Sequence, residues 1–308
     1  MTDTNLSYQK PKRRQDIVFP IVNAILLIIL MFVTLYPVLN TVAISFNDGT
    51  DALRGGIGLW PRVWSFKSYE SLLSDPATYQ AAWISVSRTV ITTILNLILT
   101  SMLAFTLSRK EYVLRHFLTT MMVLTMYVNA GLIPNYLLIS KTLNLSKTYW
   151  VYIIPTMFSC FNMIVLRTYI SGLPEALVES ARIDGAGDFR IFWQIIFPLC
   201  KPVLATVALF VAVGAWNSWF DTYLYNGSKK DLYSMQYLLK MKLATTQNQA
   251  TNAANATSEA LAAAQKAKTT PITVRSAITV VSAVPILVVY PFLQKYFVTG
   301  MALGSVKG

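Results

Sequence analysis

The chain has 308 residues, 54% of them hydrophobic and only 13% charged, with 26 Lys and Arg against 14 Asp and Glu for a net charge of +12. A soluble domain carries about 25% charged residues, so this composition, with a mean hydropathy of +0.48, excludes a water-soluble globular protein. The basic residues are scattered between apolar runs, which points to juxtamembrane Lys and Arg facing anionic lipid rather than to a nucleic-acid partner.

Six apolar runs, near 17–42, 82–108, 116–139, 149–171, 192–217 and 274–297, each approach the roughly 20 residues a helix needs to cross the hydrocarbon core. The first follows Lys10, Lys12, Arg13 and Arg14 and continues through Leu35-Tyr36-Pro37 without a small-residue cleavage site. It therefore reads as a retained span with residues 1–16 in the cytoplasm. The short loop from Arg109 to Arg115, the segment with Arg182 and Arg190, and the tail with Lys295 and Lys307 then fall inside, so both termini are expected to be cytoplasmic. Residues 17–297 form the membrane domain and 298–308 a cytoplasmic tail.

The outer insert, about 218–273, carries several Lys, but long loops report orientation poorly. Its first part places Leu232, Met235, Leu238, Leu239 and Met241 at amphipathic helical spacing. The Ala-, Asn-, Thr- and Gln-rich stretch from 245 to 265 reads as a solvated spacer. Pro37, Pro134, Pro155, Pro285 and Pro291 interrupt the spans, a pattern that suits kinked helices.

Chemistry is sparse. His116 is the only histidine, Cys160 and Cys200 lack metal spacing, and no nucleophile–base set appears, so neither a catalytic nor a metal site is expected. No G-x-x-x-x-G-K-[ST] loop is present, so this chain does not bind ATP by that route.

The informative segment is polar and glycine-broken, between two apolar runs: Glu179-Ser-Ala-Arg-Ile-Asp-Gly-Ala-Gly-Asp, then Ile195 and Pro198. Pro174, Glu175 and Glu179 suit a helix N-terminus. Ala176, Ser180 and Ala181 allow close approach, and Gly185 and Gly187 permit a backbone reversal before a second helix from about Asp188 to Pro198. Residues 174–198 thus read as a compact docking knob.

This stretch, from Glu179 through Asp184, Gly185 and Ala186 to Ile195 and Pro198, resembles the EAA loop of permease subunits of bacterial ATP-binding-cassette (ABC) importers. Ser180 stands where that family usually has Ala. Trp216-Asn217-Ser-Trp219 is similar to the Trp-Asn pattern of carbohydrate-uptake permeases, and Gln294 to Gly308 resembles the ending of the maltose-type (MalG-like) subunits. The long insert resembles the LplC/YtcP subgroup.

The resemblance implies an all-α polytopic membrane protein with six transmembrane helices, the type I (MetI-like) permease fold. It implies an oligosaccharide importer subunit that forms half of the translocation pathway and is not itself an enzyme. Partners would be a second permease in a heterodimer, two ATPase subunits and an extracytoplasmic sugar-binding lipoprotein, in the bacterial plasma membrane. No cofactor is expected on this chain, with ATP and Mg on the partner ATPase. Glu179, Ser180, Ala181, Asp184, Gly185 and Ala186 would dock on the ATPase, and Gly300, Gly304 and Lys307 of the tail would contact it.

Polar and aromatic residues within or beside the spans are the candidates for a glycan path: Arg88, Asn129, Asn135, Asn162, Trp216, Asn217 and Trp219. Arg88 is expected to snorkel to the outer interface, with a pathway-facing position that attracts an acidic sugar as the alternative. The rival classes are an ion-gradient-driven secondary transporter, disfavoured by the lack of Asp and Glu in the spans, and an ABC permease for a non-sugar solute.

Overall fold

In the computed structural model, residues 14–252 and 269–305 are described, with side chains over 18–244 and 269–291. The described chain is helical throughout, apart from one isolated antiparallel bridge between Asn47 and Trp64. In order, the α-helices are α1 Arg14–Ser45, α2 Gly49–Ala52, α3 Lys67–Leu73, α4 Pro76–Ser108, α5 Arg115–Tyr127 and α6 Leu132–Leu137. Then come α7 Cys160–Ser171, α8 Ala176–Ile183, α9 Asp188–Ile191, α10 Phe197–Leu199, α11 Lys201–Asn217, α12 Met235–Asn252 and α13 Pro271–Ser305. Three π-helical turns, Leu138–Thr142, Phe192–Ile196 and Thr222–Asn226, are inserted between them.

Three stretches cross a membrane by length and composition as single helices: Val18–Ser45, Pro76–Ser108 and Pro271–Pro291. Three bent pairs raise the number to six when each is taken as one span. The expected third span at 116–139 is not one helix: it breaks after Tyr127, and its limbs meet at 115°. The cause is local. Gly131 has φ 87° and ψ 176°, a region essentially closed to side chains, and the Asn129 side chain accepts a hydrogen bond from the Gly131 amide at 2.9 Å.

The fourth run bends by 44° between Tyr149–Thr156, two 3₁₀ turns that include Pro155, and α7. The expected fifth span at 192–217 is shortened to α11, because residues 188–199 lie at 81° to it. Pro202 has no N–H to donate to the carbonyl of Pro198, which removes one helical hydrogen bond at the bend. Pro37, Pro285 and Pro291 sit inside unbroken helices. Proline alone does not locate the breaks.

The fold divides into two compact units. The first comprises the described residues through Tyr69 with 269 to Val280. Its outer segment folds back on itself: Asn40 donates to the carbonyls of Ile57 and Gly58, at 2.6 and 3.0 Å. The Asn47 carbonyl oxygen accepts from the amides of Arg62 and Val63, at 2.8 and 3.0 Å. Asp51 accepts from Asn47 and pairs with Arg62, both at 2.9 Å, and these bonds hold its carboxyl below the usual carboxylate range.

The second unit holds Glu70 to 252 and Val281 onward. Its core joins the end of α4 (Ala104, Leu107) to α7 (Met163, Leu166), α8 (Val178), the α9 arm (Ile191, Ile196) and α11 (Val207), every one of them buried. The largest apolar cluster among the described residues thus lies directly under the α8–α9 segment. In α12 the expected amphipathic pattern holds for Met235 and Leu238, which are buried, while Met241 is exposed. Residues 253–265 of the expected spacer lie outside the described residues.

Replacing Gly131 by Val forces a side chain into its positive-φ conformation and is expected to cost about 1–3 kcal/mol. A lowered melting midpoint in detergent checks this; an unchanged midpoint would show that the 128–131 break does not need glycine.

Candidate functional site

Two places in the second unit combine polar chemistry with exposure or a cavity. The first is the α8–α9 segment. Helix α8 ends at Ile183 with Asp184 as its C-cap, and Gly185 follows at φ 78°. The Gly185 amide donates to the Arg182 carbonyl at 3.0 Å, and the Ala186 amide donates to the Ala181 carbonyl at 2.9 Å. This is the Schellman pattern, which satisfies the orphan carbonyls of the last turn and requires the left-handed glycine. Gly187 has φ −73° and ψ 160°, ordinary extended geometry, so only one of the two glycines is needed for the reversal.

The reversal brings Asp188 to Arg182. The guanidinium bonds Asp188 at 3.2 Å and grips Glu111 with two bonds, at 2.6 and 3.1 Å. Arg182 therefore ties α8, α9 and the 109–114 loop together. The bonds from Arg182 hold the Glu111 carboxyl below its ordinary 4.5. A depressed carboxylate keeps its stabilising contribution above that ordinary value and loses it only as pH falls through the lower one, so the clamp is intact at neutral pH. With Glu111 and Asp188 both well exposed, the clamp sets geometry more than stability.

The sequence-predicted docking residues divide. Glu179, Ser180, Asp184 and Gly185 are exposed. Ala181 is only 8% exposed and Ala186 packs on the same core, so their small size serves packing within the chain rather than approach by another surface. Sequence reasoning missed Ile183 and Phe189, apolar yet 87% and 68% exposed, which flank the turn. Their signal was available: a large apolar residue within the polar 179–188 stretch and another directly after it. Gly300 and Gly304 lie in α13, and Lys307 lies outside the described residues.

The second place is a cavity of about 270 Å³ between α4, the 152–162 stretch and α11. Helix α4 lines it with a polar stripe at helical spacing: Arg88, Thr92 and Asn96, continued beyond the cavity by Ser85 and Thr100, all at most 2% exposed. Arg88 does not snorkel. Its side chain is 2% exposed, pairs with Asp221 at 3.1 Å, donates to the Ser218 carbonyl, and lies 5.1 Å from the Tyr152 ring centroid. Burial explains the correction: a guanidinium facing inward needs partners, and it takes a carboxylate and a carbonyl.

Asn96 donates to the Thr156 carbonyl at 3.1 Å, and its oxygen faces the Asn162 amide at 3.5 Å. Thr92 Oγ1 and Arg88 Nε are buried without partners. The cavity is thus a polar lining with spare donors and acceptors inside an apolar bundle.

Of the seven expected pathway residues, only Arg88 and Asn162 line this cavity. Trp216 is buried and donates to the Ser282 carbonyl at 2.9 Å, which fastens α11 to α13. Asn129 shapes the 128–131 break, and Asn135 is exposed on α6. Asn217 accepts from Gln236 at 3.3 Å, and Trp219 carries Lys240 over its ring at 4.5 Å. Asp221, Tyr152 and Ser159 also line the cavity and were not among the seven.

An all-helical bundle with broken spans, a polar interior and an anchored helix–turn–helix at one end defines a membrane transport subunit. The chain belongs to the family of binding-protein-dependent transport system inner membrane components, whose model matches residues 96–302. It is similar to protein LplC of Bacillus subtilis (strain 168), 35% identical over 94% of this chain and 95% of that protein. It is also similar to the polygalacturonan/rhamnogalacturonan transport system permease protein YtcP of the same organism, 34% identical over 91% and 96%. Among solved structures, it superposes with TM-score 0.84 and 30% identity on a bacterial ABC transporter involved in the import of the acidic polysaccharide alginate, covering 94% of this chain and 100% of that one. The family agrees with the resemblance carried by the EAA-like segment and the ending, and the LplC and YtcP relatives agree with the one carried by the long insert. The chain is a permease subunit of the type I importer fold, and the ion-gradient alternative falls.

Replacing Asp221 by Asn leaves the Arg88 charge buried without a carboxylate and is expected to cost about 3 kcal/mol, the low end for a broken buried pair because Asp221 keeps a fifth of its surface exposed. The double change Arg88→Met with Asp221→Leu should be far milder than the sum of the singles. A double-mutant cycle on melting midpoints checks this, and additive losses would mean the pair is not coupled.

Proposed function

We propose that this subunit forms half of the translocation pathway of an ATP-driven oligosaccharide importer. The observation that carries the sugar assignment is the polar, partly unpartnered cavity of α4, α7 and α11 in a chain whose near relatives include proteins named for polysaccharide uptake. Amide and hydroxyl groups suit sugar hydroxyls, and the Tyr152 ring offers an apolar face. Because Asp221 neutralises Arg88, this cavity supplies no net positive charge. Selection for an acidic glycan, if the cargo is acidic, therefore rests elsewhere, on a binding protein or on the second permease.

The working assembly is this chain, a second permease, two ATPase subunits that hold ATP and Mg, and an extracytoplasmic sugar-binding lipoprotein. Both termini face the cytoplasm, with residues 17–297 as the membrane domain and the tail from 298 reaching towards the ATPase through Gly300, Gly304 and Lys307. The α8–α9 knob seats in a cleft of one ATPase subunit through Glu179, Ser180, Asp184 and Gly185, with Ile183 and Phe189 as its apolar contact. Closure of the ATPase pair on ATP moves the knob. Because α8 and α9 share one core with α4, α7 and α11, that movement is passed to the helices lining the cavity, giving alternating access.

The test separates outward from inward faces of the knob. Ser180→Trp and Gly185→Glu should abolish co-purification of an ATPase with the tagged chain and stop oligosaccharide uptake, with insertion into the membrane retained for Ser180→Trp. Ala181→Leu should instead overpack the core and lower stability by about 1–3 kcal/mol. Retained ATPase and uptake in Ser180→Trp would overturn the docking assignment, and wild-type uptake of an amino acid or peptide but no oligosaccharide would overturn the sugar assignment.

A further inference from the structure

The outer segment of the first unit packs onto the C-terminal end of α1, and the packing begins at one residue. Every residue from 18 to 39 is exposed, and none from 40 to 50 is. The change falls at Asn40, whose side chain donates to the Ile57 and Gly58 carbonyls. Ile57 closes a small buried cluster there with Ala43 and Ala52. From that point the chain runs away from the apolar body of α1. The Arg62 and Val63 amides bond the Asn47 side chain, and the Ser65 amide bonds the Phe46 carbonyl. Leu59 and Trp60 come directly after Gly58, so they stand at the rim of this lobe that faces the apolar body of α1.

Helix length says where that rim sits. A helix rises about 1.5 Å per residue, so about 20 residues cross a hydrocarbon core about 30 Å thick. Counted from Ile17, the first apolar residue after Asp16, the core ends near Tyr36. Asn40 stands one turn further, about 6 Å beyond the core and within a headgroup layer about 5–7 Å deep. Phe46 stands about 15 Å beyond the core, outside that layer.

At this level the lobe holds out two large apolar side chains. Leu59 is 45% exposed and Trp60 76%. Trp64 and Phe66, also exposed, have the Phe46 ring as partner, at 5.9 and 5.6 Å. Trp60 has neither a ring partner nor a hydrogen bond from its indole N–H among the described residues. An indole joins a broad apolar body to a single donor, which suits the boundary between acyl chains and water better than either phase alone. Tyr36 has the same character one level deeper: it is exposed, and it lies one turn before Asn40 on the same face of α1.

We infer that Leu59 and Trp60 insert into the headgroup boundary of the bilayer and anchor the outer segment there, at the level of Asn40. The ring body lies against the outermost acyl carbons, and the N–H bonds headgroup or water oxygens. The contact needs no anionic headgroup, because the neighbouring Arg62 is already held by Asp51. The partner is therefore phospholipid of either charge type. The inference does not depend on which solute the subunit carries.

The experiment places the photo-crosslinker p-benzoylphenylalanine at Trp60 and, separately, at Lys67, which is exposed and follows the part of the lobe beside Phe46. The full-length chain is irradiated in its own membrane before any detergent is added, and peptide mass spectrometry reads what each position has captured. An aromatic probe on an exposed aromatic position keeps the fold. The peptide carrying position 60 should bear phospholipid adducts, and the peptide carrying position 67 should bear none. A protein cross-link in place of lipid at position 60 would make this rim a docking face and overturn the inference. So would the absence of any adduct at position 60, which would place the rim in water, or equal lipid capture at the two positions, which would remove the depth on which the anchor rests.

Discussion

The structure depends on one buried charge. Arg88 is buried on a membrane-spanning helix, where Asp221, the Ser218 carbonyl and the face of Tyr152 surround it. Those contacts tie α4 to the turn after α11 and to the 3₁₀ segment of the fourth run. Around it the polar stripe of α4 turns inward while Val86, Val90 and Ile94 face out. The helix is inverted relative to a soluble one: polar groups inside and apolar groups outside, because its solvent is lipid.

How much of this could be read beforehand varies with the physics. The apolar runs, the Gly185 reversal and the second helix of the knob are local, and composition and spacing reveal local features. The stripe Ser85, Arg88, Thr92, Asn96 and Thr100 is also legible, at three- and four-residue steps, once polar rather than apolar periodicity is sought. The Asp221 partner was hidden because it lies four residues beyond α11, in what reads as an outer loop, and only tertiary packing returns it to the bundle. The same holds for Ala181 and Ala186: a small residue permits close approach, but sequence does not say whether the approaching surface belongs to the same chain.

The breaks show a different limit. Proline marks a place where a helix loses a hydrogen bond, yet Pro37, Pro285 and Pro291 are absorbed within continuous helices. The sharpest turn is set by Gly131 and its Asn129 bond, and the 81° bend by two prolines four residues apart, Pro198 and Pro202. A single breaker is tolerated where neighbours supply the missing partner. Paired or conformationally exclusive ones are not.

The π-helical turn at Phe192–Ile196 lies between the knob and α11. A π turn holds one residue more than the α geometry it interrupts, and one residue is about 100° of rotation about the axis. The bearing of Ile183, Asp184 and Phe189 around the bundle is thus fixed by how many residues lie in the arm, not by which ones. Single-residue insertions or deletions there act as a dial on the partner-facing azimuth. Substitutions leave the dial where it is, so descendants of this chain are free to vary the arm's apolar side chains but not its length.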